Sequence, residues 1–300
     1  MRITSNPMFV AGALGTLLAL PISAQEAPVL VSGEWLEEHL EDPSVVVLFV
    51  GMAHDGTPSP FIPGAAFLDY HAITTTIDGL RTELPPVPDL ETAFRAAGVS
   101  NDDHVVVYSS SPMHYAARAF MTLEYLGHRG KVSVLDGGWE TWQQERRPTV
   151  PGPRVASAGT FTANVRDDVL VTADVLAGQL DDPKVTLIDA RPAIEYTGER
   201  LGRNARGGHL PGAYNLYWED LLVSEDEPRL GDLVKVRGRF EEAGASTDGV
   251  VVSYCQIGMR ASYTYLISRH LGYDARFYDG SWAEWSRRPD LPAVLGTSRR

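Results

Sequence analysis

Cysteine is almost absent: 300 residues contain one, Cys255. A single thiol excludes an intrachain disulfide and any zinc site built from several cysteines. Positive charge is also scarce, with 26 lysines and arginines against 39 aspartates and glutamates, a net charge of −13. Neither half of the chain is basic, which argues against nucleic acid or an anionic membrane surface as a partner. An anionic substrate would have to be drawn by a local cluster of arginines. Missing too is an apolar run of the roughly 20 residues that a membrane-spanning helix needs. The run Met8–Leu20 holds 13 residues. It follows Arg2, is broken by Pro21 and leads into the small residues of Ile22-Ser23-Ala24. Residues 1–24 therefore read as a cleaved signal peptide, and the mature chain as periplasmic or secreted. A free thiol retained in an oxidising compartment is expected to react.

What is present is a duplication. Val29-Leu30-Val31-Ser32 and the run Val45–Val50 return, 140 residues later, as Val169-Leu170-Val171-Thr172 and Val185–Ile188. Ile62-Pro63-Gly64-Ala65 is answered by Leu210-Pro211-Gly212-Ala213, and Val105–Tyr108 by Val251–Tyr254. Tyr125-Leu126-Gly127 is answered by His270-Leu271-Gly272, and Leu135-Asp136-Gly137-Gly138-Trp139 by Tyr278-Asp279-Gly280-Ser281-Trp282. Ordered matches at nearly constant offset mark two copies of one domain. Short β-branched runs with continuous apolar residues predict buried parallel strands. Segments such as Leu90–Ala97 and Ala261–His270 carry helical spacing. The fold class is α/β: two tandem domains, residues 29–150 and 169–295, each a parallel sheet with helices on both faces. Residues 151–168 read as the linker, led into by the Pro- and Gly-rich stretch Pro148–Gly159. The duplication supplies a pseudo-twofold interface within one chain, so a monomer is expected.

Cys255 follows the run Gly249–Tyr254 and precedes Gln256-Ile257-Gly258-Met259-Arg260, after which a helix opens near Ala261. The thiol thus falls at the carboxyl end of a parallel strand, where open α/β sheets bind ligands. A helix N-terminus presents unpaired N–H groups and partial positive charge, which favour an anion and lower a thiol's pKa. Gly258 lets the loop curl with its N–H groups inward, and Arg260 closes it with a permanent charge. In the first copy Tyr108-Ser109 stands where Tyr254-Cys255 does, so that loop has no thiol. His104, His114 and His128 lack tight ligand spacing and read as surface and helix-end residues, not as a metal site. Trp139 and Trp282 read as packing anchors.

This arrangement resembles the rhodanese family of sulfurtransferases from about Val29 to Leu295. The marks are Cys255–Ser262, Gly207–Ala213, Asp189-Ala190-Arg191 with Glu195-Tyr196, and Asp279–Trp282. The resemblance implies a second copy that is catalytic and a first that is not. It implies transfer of the outer sulfur of thiosulfate, through a persulfide on Cys255, to cyanide or a thiol acceptor, with no cofactor. Gln256, Ile257, Gly258, Met259 and Arg260 would hold the small anionic donor. Arg191 would assist, or would brace the loop by pairing with Asp189 or Glu195. The run Arg200–Arg206 is either an attractive mouth or an ordinary solvated loop. The nearest alternative donor is 3-mercaptopyruvate. Different readings are a cysteine-dependent phosphatase of the cell-cycle type, whose loop encloses one residue more, and a non-catalytic sulfur-binding module.

Overall fold

The apolar runs form strands buried on both faces, as their composition requires. The computed structural model describes residues 26–52, 60–224 and 226–300, so the expected signal peptide lies outside the described residues. The first copy contains β1 (Leu30–Val31), α1 (Gly33–Glu38), β2 (Val45–Gly51), β3 (Ala66–Asp69), β4 (Thr75–Ile77), β5 (Leu80–Glu83), α2 (Val87–Ala96), β6 (His104–Tyr108), α3 (His114–Tyr125), β7 (Val132–Leu135) and α4 (Gly138–Gln144). The second contains α5 (Ala173–Ala177), β8 (Val185–Asp189), α6 (Ala193–Tyr196), β9 (Tyr214–Asn215), α7 (Leu233–Ala243), β10 (Val250–Tyr254), α8 (Met259–His270), β11 (Asp274–Phe277) and α9 (Ser281–Trp285). The sheets run β1-β7-β6-β2-β3 and β11-β10-β8-β9, all parallel. A parallel bridge from Leu170 to Phe277 fills the edge place that β1 holds in the first sheet, so the strand order repeats.

Small details repeat as well, and they account for the repeated motifs. Ser32 caps α1 by accepting the Trp35 N–H, and Thr172 caps α5 by accepting that of Val175. The Tyr108 hydroxyl accepts the Ile62 N–H at 3.2 Å, and the Tyr254 hydroxyl accepts the Leu210 N–H at 3.2 Å. Gly127 and Gly272, with φ of 91° and 87°, follow α3 and α8 in the left-handed conformation that ends a helix.

Alternate residues of each strand enter different cores. Val47, Phe49, Val106 and Tyr108 pack with Leu36, Trp139 and Trp142 on the outer face of the first sheet. Leu187, Val252 and Tyr254 pack with Leu176, Trp282 and Trp285 on the outer face of the second. The opposite faces meet in one continuous core containing residues of α2, α3, α7 and α8 from both copies. Helices therefore cover both faces of each sheet, and α3 lies against α8 at the centre of the molecule. At that contact the buried Glu124 accepts from the Tyr265 hydroxyl at 2.6 Å and from Arg269 Nε at 3.0 Å.

The connector is not a free tether. Residues 151–168 lie along the first copy, where Gly159 N–H donates to Arg95 O, Phe161 N–H to Val99 O and Asn164 N–H to Leu126 O. Phe161 is fully buried against Phe94 and His128. The histidines are also more enclosed than their sequence positions imply. His128 is buried and bonded to Asp103 O, while His104 is half-buried and bonded to Ser133 Oγ. Phe161→Ala should remove the connector's anchor and cost about 3–5 kcal/mol, read as a lowered urea midpoint. A midpoint unchanged from wild type would show that the connector is held without it.

Candidate active site

β10 delivers Cys255 to the carboxyl edge of the second sheet, and α8 begins four residues later at Met259. Between them Gly258 adopts φ 82°, a left-handed conformation that side chains disfavour. The loop is pinned from outside: Cys255 N–H donates to Ser281 Oγ at 3.2 Å, while Cys255 O and Gln256 O accept from Trp282 and Ala283 N–H at 3.0 Å. Among the described residues, the N–H groups of Gln256, Ile257, Gly258, Met259 and Arg260 donate to no protein acceptor. Unsatisfied amides at the mouth of a helix form a ready anion cradle. Ser281 itself has φ 51°, and Gly138 holds the corresponding first-copy place at φ 54°. The strained serine is thus kept where its hydroxyl can hold the nucleophile's backbone.

Each expected residue has a definite place. Cys255 is fully buried. Ile257 and Met259 line a cavity of about 290 Å³ between the two copies. Gln256 faces away from it, exchanging hydrogen bonds with the Asn204 amide. Arg260 is paired with Glu195 through two bonds of 2.7 and 3.2 Å. Burial works against its charge, but the Glu195 hydrogen bond and the nearby Cys255 charge outweigh it and raise its pKa.

Arg191 takes the second of its two expected places, paired with Asp189. It is 1% exposed, forks onto Asp189 at 2.6–3.1 Å and donates to Gly208 O at 2.8 Å. Its plane lies over the Trp282 ring at 5.0 Å. A buried guanidinium spends its donors on the nearest carboxylate, so Arg191 braces the β8 end. Within the arginine run, Arg206 is likewise committed to Trp285 O and Arg288 O, whereas Arg200 and Arg203 are exposed.

The first copy contributes residues that sequence reasoning left out. The β4–β5 hairpin crosses over the loop, and the Thr82 hydroxyl donates to Ile257 O. Arg118, buried in α3, donates to Asp279 Oδ1 at 2.7 Å and to Thr82 O at 2.6 Å. Leu84 N–H takes the other Asp279 oxygen at 2.9 Å. Asp279 stands in a repeated Asp-Gly-x-Trp motif, which marked the position, but nothing in the linear pattern named Arg118 as its partner. His114, the first residue of α3, is half-buried: burial, then the Arg260 charge, push it down to about 4, and it packs edge-on to Trp218.

Fold and loop together define a duplicated α/β protein in which one copy carries a thiol nucleophile and the other covers it. Comparison with known proteins places that architecture. The rhodanese-like domain family matches residues 32–145 and 172–288. A 3-mercaptopyruvate sulfurtransferase of Escherichia coli is 32% identical over 277 residues, covering 87% of this chain and 96% of that protein. A thiosulfate sulfurtransferase of Azotobacter vinelandii is 31% identical over 278 residues, covering 89% and 97%. The crystal structure of the 3-mercaptopyruvate sulfotransferase SseA from Escherichia coli superimposes with a TM-score of 0.72 at 28% identity, covering 86% of this chain and all of that one. The chain belongs to the rhodanese family of sulfurtransferases.

Gly258→Ala would be strained by its φ, and the added carbon would stand 3.0 Å from Asp279 Oδ1 and 3.1 Å from Arg118 Nη1. We expect a large loss of transfer activity with a smaller loss of stability; activity at the wild-type level would refute the cradle. Glu83 gives a pH dependence. Burial, then the Asp279 charge, push it from its ordinary 4.5 up to about 8. The folded chain holds this proton where the unfolded chain has released it, so stability is full below about 4.5 and falls as pH rises through about 8. Glu83→Gln should raise the melting temperature at pH 8.5 more than at pH 5, and an equal change at both would refute the assignment.

Proposed function

We propose that this protein is an exported thiosulfate sulfurtransferase that works through a persulfide on Cys255. The observation that carries the reading is the ring of loop amides without acceptors among the described residues, closed by a charged Arg260, around a single thiol. A thiolate in that ring attacks the outer sulfur of thiosulfate and expels sulfite. The amides then hold the persulfide's charge until cyanide or a thiol removes the sulfur, a two-step exchange with ping-pong kinetics. Arg260, held in place by Glu195, keeps a permanent positive charge beside the reacting sulfur. A compact dianion such as thiosulfate suits that charge. The apolar segment Met8–Leu20 supports action outside the cytoplasm.

Relatives acting on 3-mercaptopyruvate and on thiosulfate match this chain about equally, at 32% and 31% identity. Turnover on the two donors separates the readings. Intact mass after thiosulfate treatment should show the gain of one sulfur atom, removable by cyanide. Cys255→Ser should abolish both the gain and the turnover while leaving the melting temperature near wild type; substantial residual turnover would reject the mechanism. Arg260→Ala should slow loading from thiosulfate more than loading from an uncharged sulfur donor. Equal losses would remove its proposed role.

A further inference from the structure

Tyr70 of the first copy lines the cavity that Ile257 and Met259 of the Cys255 loop also line. It begins the 3-10 turn Tyr70–Ala72 after β3, where Asp69 accepts the His71 N–H. Its ring is 2% exposed, lies edge-on to Tyr115 at 4.8 Å and belongs to the same packed core as Cys255. Its hydroxyl is enclosed and has no hydrogen-bond partner among the described residues. Such a group is costly to a folded chain unless a ligand supplies the missing partner.

The place where a ligand would sit is at hand. Tyr70, Thr74 and Thr82 stand on one side of the interdomain cavity, and Ile257 and Met259 of the catalytic loop on the other. Of the four threonines on that wall, the hydroxyls of two are already committed, Thr74 to Tyr70 O and Thr82 to Ile257 O. The phenol is thus an enclosed donor on that wall without a partner among the described residues, beside Thr75, Thr76 and Arg81, which line the same cavity. Burial raises its pKa and the neighbouring Cys255 charge adds to the rise, although Arg118 opposes it, so Tyr70 keeps its proton and serves as a donor and not as a base.

We propose that Tyr70 recognises the sulfur donor, its O–H donating to a sulfonyl oxygen of thiosulfate while Cys255 takes the outer sulfur. This inference rests on the thiosulfate reading given above. The Cys255 thiolate's electron pair forms the new S–S bond. The S–S bond of thiosulfate breaks, its pair leaves on sulfite, and no proton moves. Tyr70 holds the departing sulfite by its oxygens, opposite the amides that hold the transferred sulfur. The copy without a thiol thus supplies the recognition half of the site.

The test is Tyr70→Phe, which keeps the ring and its contact with Tyr115, with the two half-reactions read separately by intact mass. Sulfur gain from thiosulfate should slow about ten- to a hundredfold, the loss expected for one hydrogen bond to a charged group. Loading from polysulfide, which has no oxygens, should be unchanged, as should discharge of the preloaded persulfide to cyanide. Unchanged thiosulfate loading, or equal slowing with thiosulfate and polysulfide, overturns the role of Tyr70 alone. Wild-type protein that gains sulfur from polysulfide but none from thiosulfate overturns the donor assignment, and this inference with it.

Discussion

A guanidinium that water cannot reach must be answered by a carboxylate, and Arg118 is such a group. Its side chain has no exposure, and Asp279 of the other copy lies 2.7 Å away. Removing either partner would strand a charge in the interior, a penalty larger than most packing contacts. The pair ties α3 to the segment that follows β11, and through Thr82 O it ties the β4–β5 hairpin to both. That hairpin roofs the loop of Cys255 and walls the cavity beside it. The geometry of the catalytic copy is therefore set partly by a charge that the other copy buries.

The same rule sorts the arginines of the second copy. Arg191 meets Asp189 two residues away, at the end of a strand already buried, and is used up there. Arg260 stands at the start of α8 with Glu195 of α6 against it, and its charge remains next to the nucleophile. Two arginines of similar standing in the linear motif thus have different uses. What separates them is which carboxylate the fold brings close and whether the reacting sulfur shares the space.

The duplication, the parallel strands and the strand–thiol–loop–helix unit were all legible, because each is local or repeats at constant offset. Continuous apolar runs such as Val45–Val50 can be satisfied by little other than a strand covered on both faces. Gly258 and Cys255 announced a cradle because glycine at a helix start and a thiol before it have few other joint uses. The partners of these residues were not legible. Gln256 lies beside the thiol in sequence yet turns to Asn204, 52 residues earlier. His114 reads as a helix-end residue, and its burial follows from Trp218 of the other copy. The connector reads as a tether because its prolines and glycines dominate, yet one buried ring, Phe161, lays it against the first copy.

By itself, then, the sequence determined the architecture of each copy and the position of the reactive sulfur, since backbone periodicity and chain-local geometry decide both. The tertiary structure alone decided how the copies face one another, which arginine is structural, and that Tyr70, 185 residues from Cys255, shares its core. Those outcomes depend on burial. Whether a charge or hydroxyl is satisfied is a property of what packs around it, and the neighbours come from the far half of the chain.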